Sequence, residues 1–194
     1  MIELIKEIDA SIVLFINNLC FDFFSDVMWF ISAKSTWIPL YLMMLFYLYK
    51  KMDIKMFILL SLTVVSSVAI ADLLSVHLFK NVFMRYRPSH HLVLGEQLNL
   101  YQLSPGNFYK GGQYGFVSSH AANFTALACM FILGIKNTSK TWLYVLAFVV
   151  FITCLSRVYL GVHYFTDVFF GSLLGALIAL LLYKLIFIPI QKKL

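Results

Sequence analysis

The stretch "WLYVLAFVVFITCLSRVYLGVHYFTDVFFGSLLGALIALLLYKLIF", residues 142–187, contains two long apolar runs joined by a short polar segment. Each run approaches the roughly 20 residues that an α-helix needs to cross a bilayer. The runs are continuous rather than alternating in polarity, which favours helices over the strands of a membrane barrel. The joining segment, "SRVYLGVHYFTD" at 156–167, places an arginine, a histidine and an aspartate between these helices. Charged groups at a membrane boundary are costly, and they are commonly functional.

The composition extends this interpretation to the whole chain. Of its 194 residues, 61% are hydrophobic and 12% are charged, whereas about 25% of the residues of a soluble domain are charged. Apolar runs predict five spans, at about 36–49, 57–79, 117–135, 142–160 and 166–187. No polar linker is long enough to separate two domains. We therefore expect an all-α, polytopic membrane helix bundle that forms a single domain over residues 1–194.

Residues 2–19 predict an additional, N-terminal helix. Ile5, Ile8 and Leu19 fall on one helical stripe, while Glu7 and Asp9 lie off it. This pattern is typical of an amphipathic helix that lies in the membrane interface. The alternative is that the segment forms a sixth span.

Lysines in the short connectors indicate the orientation of the bundle. Five alternating spans place the connectors 50–55 and 136–140 and the C-terminal residues on one side. Cytoplasmic loops of membrane proteins carry an excess of Lys and Arg. The lysines on this side are Lys50, Lys51, Lys55, Lys136, Lys140, Lys192 and Lys193. In a bacterium, the long connection 80–116 and the segment 156–167 would then face the periplasm from the inner membrane.

Other classes of protein fit less well. The net charge of +6 is spread over several loops and forms no nucleic-acid-binding patch. The cysteines Cys20, Cys129 and Cys154 are too few for a disulfide framework. His90 and His91 have no carboxylate or cysteine spaced with them, so we expect them to be loop residues and expect no metal site. Nothing in the sequence points to an obligate protein partner.

Polar side chains from three segments are expected to meet at the outer boundary. Lys80, Arg87 and Arg157 supply positive charges and donors that suit phosphate oxygens. Ser118 and Ser119 open a predicted helix, whose free N–H groups attract anions. Each residue alone has a structural explanation, since cations near span ends snorkel to headgroups and serines cap helices. Their gathering on one face favours an anion-binding site.

Two histidines and an aspartate complete this set. His163 and Asp167 are four residues apart and share a face if the helix has begun at His163, in which case the carboxylate can orient the imidazole and leave its other nitrogen free as a nucleophile. Gly161 allows a break in the backbone before His163. His120 can donate a proton to a leaving oxygen. Asp72 is expected to pair with a cation inside the bundle, and Arg85 and Lys110 are expected to make secondary substrate contacts.

These segments resemble the motifs of the type 2 phosphatidic acid phosphatase family. "KNVFMRYRP" matches its K-x6-RP motif, and "SRVYLGVHYFTD" matches its S-R-x5-H-x3-D motif. "VSSH" is similar to its P-S-G-H motif, with Val117 and Ser119 in place of the proline and the glycine. The resemblance covers residues 57–187.

The resemblance implies a helical membrane enzyme that hydrolyses phosphate monoesters or diphosphates without a metal or other cofactor. His163 would attack phosphorus and become a phosphohistidine, Asp167 would orient it, and His120 would protonate the leaving group and then activate water. The phosphate would be held by Lys80, Arg87, Ser118, Ser119 and Arg157.

The substrate is expected to be a membrane lipid phosphate at the outer leaflet. "SAKSTWIPLY" and "GFVSSHAAN" resemble small lipid A 4′-phosphatases of Bacteroides-like bacteria, which favours a phosphate of lipid A. Undecaprenyl diphosphate and phosphatidylglycerol phosphate are the alternative substrates. A lipid-to-lipid phosphotransferase is a second activity consistent with the motifs. A transporter is disfavoured, because transporters bind their substrates near the bilayer midplane, and a scaffold would not need His163.

Overall fold

The computed structural model describes residues 2–19 and 21–194 and shows a helical protein with one small hairpin. The helices are α1 (Ile2–Asn17), α2 (Phe21–Ser32), α3 (Ile38–Lys51), α4 (Ile54–Leu74), α5 (Asn81–Phe83), α6 (Ser119–Gly134), α7 (Lys140–Tyr159), α8 (Phe165–Leu182) and α9 (Ile188–Gln191). Wider, π-helical turns at Ser75–Lys80 and Tyr183–Phe187 continue α4 into α5 and α8 into α9. Short 3₁₀ turns occupy Lys34–Trp37, Pro88–His90 and Gly95–Gln97. Strands β1 (Gln102–Ser104) and β2 (Asn107–Phe108) pair antiparallel within the long connection.

The lengths of the helices support a membrane bundle. Over residues 2–19 and 21–194, three continuous helical stretches are long and apolar enough to cross a membrane: Ile54–Phe83, Lys140–Tyr159 and Phe165–Gln191. Two further predicted spans correspond to α3 and α6, which have 14 and 16 residues. At 1.5 Å per residue, α6 covers roughly 24 Å, less than the hydrocarbon thickness of about 30 Å. The count of five spans therefore stays a prediction.

Small residues allow α6 and α8 to pack closely. A Cβ at Gly175 would lie 2.2 Å from the carbonyl oxygen of Ala122, and one at Gly171 would lie 2.6 Å from that of Ser118. Such small-xxx-small patterns let helix backbones approach each other inside membranes. Because α6 and α8 both begin at the same end of the bundle, this contact fixes the first turns of both helices, where Ser118 and Asp167 lie.

The helix α1 forms as predicted, but its apolar stripe faces outward. Ile5, Ile8 and Leu19 are exposed, whereas Asp9 is only 1% exposed. A helix lying in the membrane interface would turn its polar residues toward water, whereas the structure turns Asp9 inward. The physical reason is that the outer surface of a membrane bundle contacts lipid, so an apolar face turns outward and a polar group can turn inward.

The ends of the helices bring the polar segments together. The stretch Ile54–Phe83 ends, α6 begins, α7 ends and α8 begins at one end of the bundle. The connector lysines lie at the opposite helix ends. Cys129 and Cys154 are free thiols, and Cys20 lies outside the described residues.

Candidate active site

His163 and Asp167 lie side by side between α7 and α8. Gly161 has a φ of +67°, a left-handed conformation that ends α7 and turns the chain toward α8. In the first turn of α8, one oxygen of Asp167 (Oδ2) accepts a hydrogen bond of 3.0 Å from the backbone N–H of Tyr164. The same oxygen lies 3.5 Å from Nδ1 of His163. The predicted pairing of these two side chains is thus present in the geometry, at a length outside hydrogen bonding.

The surroundings of His163 keep its imidazole neutral. Burial lowers the pKa of His163 well below its usual value of 6.5, and the positive charges of Arg87, Arg157 and Lys80 lower it further. Nε2 of His163 lies 3.2 Å from Nη1 of Arg87. A guanidinium can only donate, so Nε2 is the acceptor and the ring proton lies on Nδ1, toward Asp167. His163 therefore presents a lone pair at Nε2, as a nucleophile requires.

Two arginines flank the His163–Asp167 pair. Arg85 and Arg87 belong to a short extended segment that pairs with residues 113–115, through bonds of 2.9 Å from the N–H of Gly115 to the Arg85 carbonyl and 3.1 Å from the N–H of Arg87 to the Gln113 carbonyl. Residues two apart on an extended chain share a face. Accordingly, Arg85 binds Asp167 at 3.0 Å, while Arg87 lies at His163.

Three cations around His163 have no carboxylate partner. Lys80, Arg87 and Arg157 have no Asp or Glu oxygen within ion-pair distance among the described residues. Arg157 is 3% exposed and Arg87 is 8% exposed, and Nε of Arg157 has no hydrogen-bond partner. Burial together with the charge of Arg157 lowers the pKa of Arg87 to about 10. Unpaired buried cations are costly, and a phosphate bound among them would remove that cost.

The start of α6 adds hydroxyl and backbone groups to the site. The hydroxyl of Ser118 caps the helix by accepting from the Ala121 N–H, and the N–H of Ser118 donates to the carbonyl of Asp167 at 2.9 Å. The hydroxyl of Ser119 accepts from Lys80 and lies 2.6 Å from the hydroxyl of Ser75. The side chain at the position of the motif's glycine therefore holds Lys80 in place.

His120 lines an apolar cavity of about 500 Å³ between α3, α4 and α6. Lys34 also lines it, beside α3. The remaining lining is mostly aliphatic and aromatic, and Phe131 lies near its far end. From His120 to Phe131, α6 advances by roughly 16 Å at 1.5 Å per residue. The cavity thus runs from a site residue along the bundle toward its opposite end.

Several residues of the site were not identified from the sequence. Ser32 and the Tyr109 hydroxyl accept hydrogen bonds from Arg157, the latter at 2.9 Å. A Cβ at Gly115 would lie 2.9 Å from Oδ2 of Asp167, so a glycine is needed there. Gly115 ends a Gly-rich run, residues 105–115, which is a signal that could have identified it, whereas nothing near Ser32 or Tyr109 in the sequence indicates their role.

Other predicted residues have different surroundings. Asp72 accepts from the Asn123 amide at 2.8 Å and has no cation within ion-pair distance in the described chain, so its expected pairing with a cation was wrong. His91 accepts from the Leu94 N–H at 3.2 Å, and His90 lies 3.5 Å from the Gly111 carbonyl; both are loop residues. No group of three or more His, Cys, Asp or Glu side chains within residues 2–19 and 21–194 could hold a metal.

Comparisons with known proteins identify the family of the chain. The model of the PAP2 superfamily matches residues 56–190. A lipid A 4′-phosphatase of Porphyromonas gingivalis is 34% identical over 182 residues, which cover 94% of this chain and 74% of that protein. A lipid A 4′-phosphatase of Bacteroides thetaiotaomicron is 30% identical over 178 residues, covering 90% and 75%.

A solved structure shares the fold. The transmembrane PAP2-type phosphatidylglycerolphosphate phosphatase from Bacillus subtilis superposes with a TM-score of 0.66, over 93% of this chain and 85% of that one. The two sequences are 19% identical, so this likeness concerns the fold alone.

The protonation of His163 can be measured by ¹⁵N NMR of histidine-labelled protein, with His163→Gln to assign its signal. We expect a neutral ring with its proton on Nδ1 as the pH is lowered from about 8 to about 6, because the folded-state pKa is below the usual 6.5. Since the unfolded chain then binds the extra proton, His163 lowers the free energy of unfolding as the pH falls below about 6.5. A titration midpoint at or above pH 6.5 for the His163 ring would contradict the lowered pKa.

Proposed function

Because the chain belongs to the PAP2 superfamily, we propose that it is a membrane phosphatase that hydrolyses a lipid phosphate through a phosphohistidine on His163. The observation that carries this proposal is the convergence of unpaired cations on a neutral histidine whose Nδ1 faces Asp167. Neutral His163 is nucleophilic, and the cations match the charge of a phosphate. No step needs a metal.

The reaction follows from the positions of the groups. Phosphate oxygens bind Lys80, Arg87 and Arg157, which draws Arg87 away from Nε2 of His163. Nε2 then forms the P–N bond while the bond from phosphorus to the lipid oxygen breaks. His120 takes up a proton from solvent once the phosphate anion offsets the charges of the neighbouring cations, and it gives this proton to the lipid oxygen. The phosphorylated ring keeps its Nδ1 proton and becomes cationic, and the carboxylate of Asp167 stabilises it.

Water completes the cycle. His120, now without its proton, removes one from a water molecule, whose oxygen attacks phosphorus as the P–N bond breaks. Inorganic phosphate leaves, and both histidines return to their starting states. The first turn of α6, which Ser118 caps, offers the N–H of Ser119 to charge on the phosphoryl oxygens.

The cavity beside His120 supports a lipid as the substrate. Its apolar lining suits an acyl chain, and its position at the proposed leaving-group acid suits the part of the substrate that departs. Both curated relatives described above are lipid A 4′-phosphatases, so we propose lipid A phosphate as the substrate. Undecaprenyl diphosphate and phosphatidylglycerol phosphate are the competing lipids for the assay.

The direction of the helices supports an outward-facing site. The connector lysines, among them Lys51, Lys136 and Lys192, lie at helix ends opposite the site. The positive-inside rule assigns those ends to the cytoplasm. We therefore propose five spans in a single domain of the bacterial inner membrane, with the site facing the periplasm.

The activity is tested by phosphate release from lipid A, undecaprenyl diphosphate and phosphatidylglycerol phosphate, with purified protein in detergent and EDTA present. We expect release to be fastest from lipid A. His163→Ala should lower the rate on the order of 10⁴-fold, because it removes the nucleophile. Release that survives in His163→Ala, or that EDTA abolishes, would overturn the mechanism. Transfer of phosphate to a second lipid, without free phosphate, would identify a phosphotransferase.

The cavity is tested by Val68→Trp, which puts a large ring into its lining. We expect kcat/KM to fall roughly tenfold or more for lipid A, with little change for a short, soluble phosphomonoester that has no acyl chain. The matched control is Leu62→Trp, on the exposed face of the same helix. Equal losses with both substrates, or equal effects of both variants, would show that the cavity does not hold an acyl chain.

A further inference from the structure

We propose that Asp9 and Arg85 position Asp167, and that the two carboxylates and one guanidinium together keep a net negative charge beside His163 during phosphoryl transfer. This inference rests on the proposed function of His163 and Asp167, and it adds two residues that lie outside the phosphate-binding set. We call the three side chains the Asp9–Arg85–Asp167 bridge.

The bridge joins three parts of the chain through one guanidinium. Nη2 of Arg85 lies 2.8 Å from Oδ2 of Asp9, and Nη1 lies 3.0 Å from Oδ1 of Asp167. Nη1 also donates to the hydroxyl of Thr166 at 2.7 Å. Asp9 in turn accepts from the Thr166 N–H at 3.1 Å and from its hydroxyl. The guanidinium lies 4.0 Å from the centre of the Tyr164 ring, which adds a cation–π contact.

Burial indicates that these contacts are specific. The side chains of Asp9 and Asp167 are 2% and 0% exposed. A carboxylate that is buried without compensation is costly. The neighbouring residue on α1, Ile8, faces outward, so a carboxylate one position earlier in the helix would have been exposed. The buried carboxylate of Asp9 therefore does not serve to make the surface of α1 polar, and its contacts with Arg85 and Thr166 must account for its position.

The first consequence of the bridge concerns orientation. Arg85 holds Oδ1 of Asp167, and the N–H of Tyr164 holds Oδ2 at 3.0 Å. With both oxygens bound, the carboxylate cannot rotate, and Oδ2 stays directed at Nδ1 of His163. That nitrogen has no hydrogen-bond partner, so a small shift on phosphate binding can form the bond.

The second consequence concerns charge. If Arg85 paired with Asp167 alone, the pair would be neutral and Asp167 would be a weaker acceptor for the His163 ring. Asp9 gives the bridge two carboxylates and one guanidinium, so a net negative charge remains. That charge is most useful when phosphorylated His163 becomes cationic. Asp9 and Arg85 should consequently influence turnover more than substrate binding.

The test compares Asp9→Asn with Asp9→Glu in phosphate release from lipid A. Asparagine keeps the shape of Asp9 and removes its charge, whereas glutamate keeps the charge and changes the shape. We expect kcat to fall roughly 10- to 100-fold in Asp9→Asn, as for residues that orient a functional ligand, with KM nearly unchanged. Asp9→Glu should recover part of this loss. Glu7→Gln, which neutralises an exposed carboxylate on the same helix, is the control and should have parental kcat.

The outcomes separate this inference from the proposed function. Parental kcat in folded Asp9→Asn, or a better rate in Asp9→Asn than in Asp9→Glu, would overturn the bridge while His163-dependent release stands. Should Asp9→Asn not fold, Arg85→Lys replaces it. Lysine keeps the charge but cannot bind both carboxylates as the guanidinium fork does, and parental kcat there would equally overturn the inference.

A second measurement needs no turnover. In ¹⁵N NMR spectra, the His163 Nδ1–H signal should move in Asp9→Asn and stay in place in Glu7→Gln. An unmoved signal in Asp9→Asn would reject the bridge even if none of the three lipids is hydrolysed, an outcome that would reject the proposed function separately.

Discussion

Positive charge without a local counterion is the constraint on which this site depends. Burial lowers the pKa of His163, and the charges of Arg87, Arg157 and Lys80 lower it further, so the ring stays neutral. In a largely apolar bundle, such an arrangement is stable only if the cations are hydrogen-bonded by neutral groups and an anion can join them. Ser119, Tyr109 and the carbonyls of Tyr114 and Val162 supply those neutral contacts. The same charges that favour phosphate therefore prepare the nucleophile.

The acidic groups are kept on the other side of the histidine. Asp167 and Asp9 share Arg85, so their negative charges are held apart from the phosphate-binding cations. His163 lies between the two sets, with Nε2 at Arg87 and Nδ1 at Asp167. The two ring nitrogens therefore have different roles: Nε2 attacks phosphorus, and Nδ1 faces the carboxylate that stabilises the charged ring. The packing of α6 on α8 fixes the position of Asp167 in this arrangement.

The sequence predicted the motif-bearing part of the site better than its supports. Continuous apolar runs predicted the helices, because they depend on local periodicity. The spacing of His163 and Asp167 predicted that they lie close together, but His163 precedes α8, which begins at Phe165, so the two residues do not share a helix face. The role of Asp9 was missed because helical spacing shows only that it differs from its apolar neighbours, and the direction of each face depends on tertiary packing. Arg85 was expected to contact the substrate, but in the structure it binds Asp167 and Asp9, and Asp9 is far from it in the sequence. The number of spans could not be predicted from the sequence, because the apolar length of a short helix such as α6 does not distinguish a membrane span from a buried helix.

The most direct test of the account is to trap the covalent intermediate. Lipid A labelled in its 4′-phosphate would be mixed with the protein, quenched during turnover without acid, and the peptides analysed by mass spectrometry. The account predicts a phosphate on the peptide that contains His163, located on Nε2, which disappears at the rate of phosphate release and is absent in His163→Gln. Turnover with no phosphate on His163, and with a parental rate in His163→Gln, would contradict it.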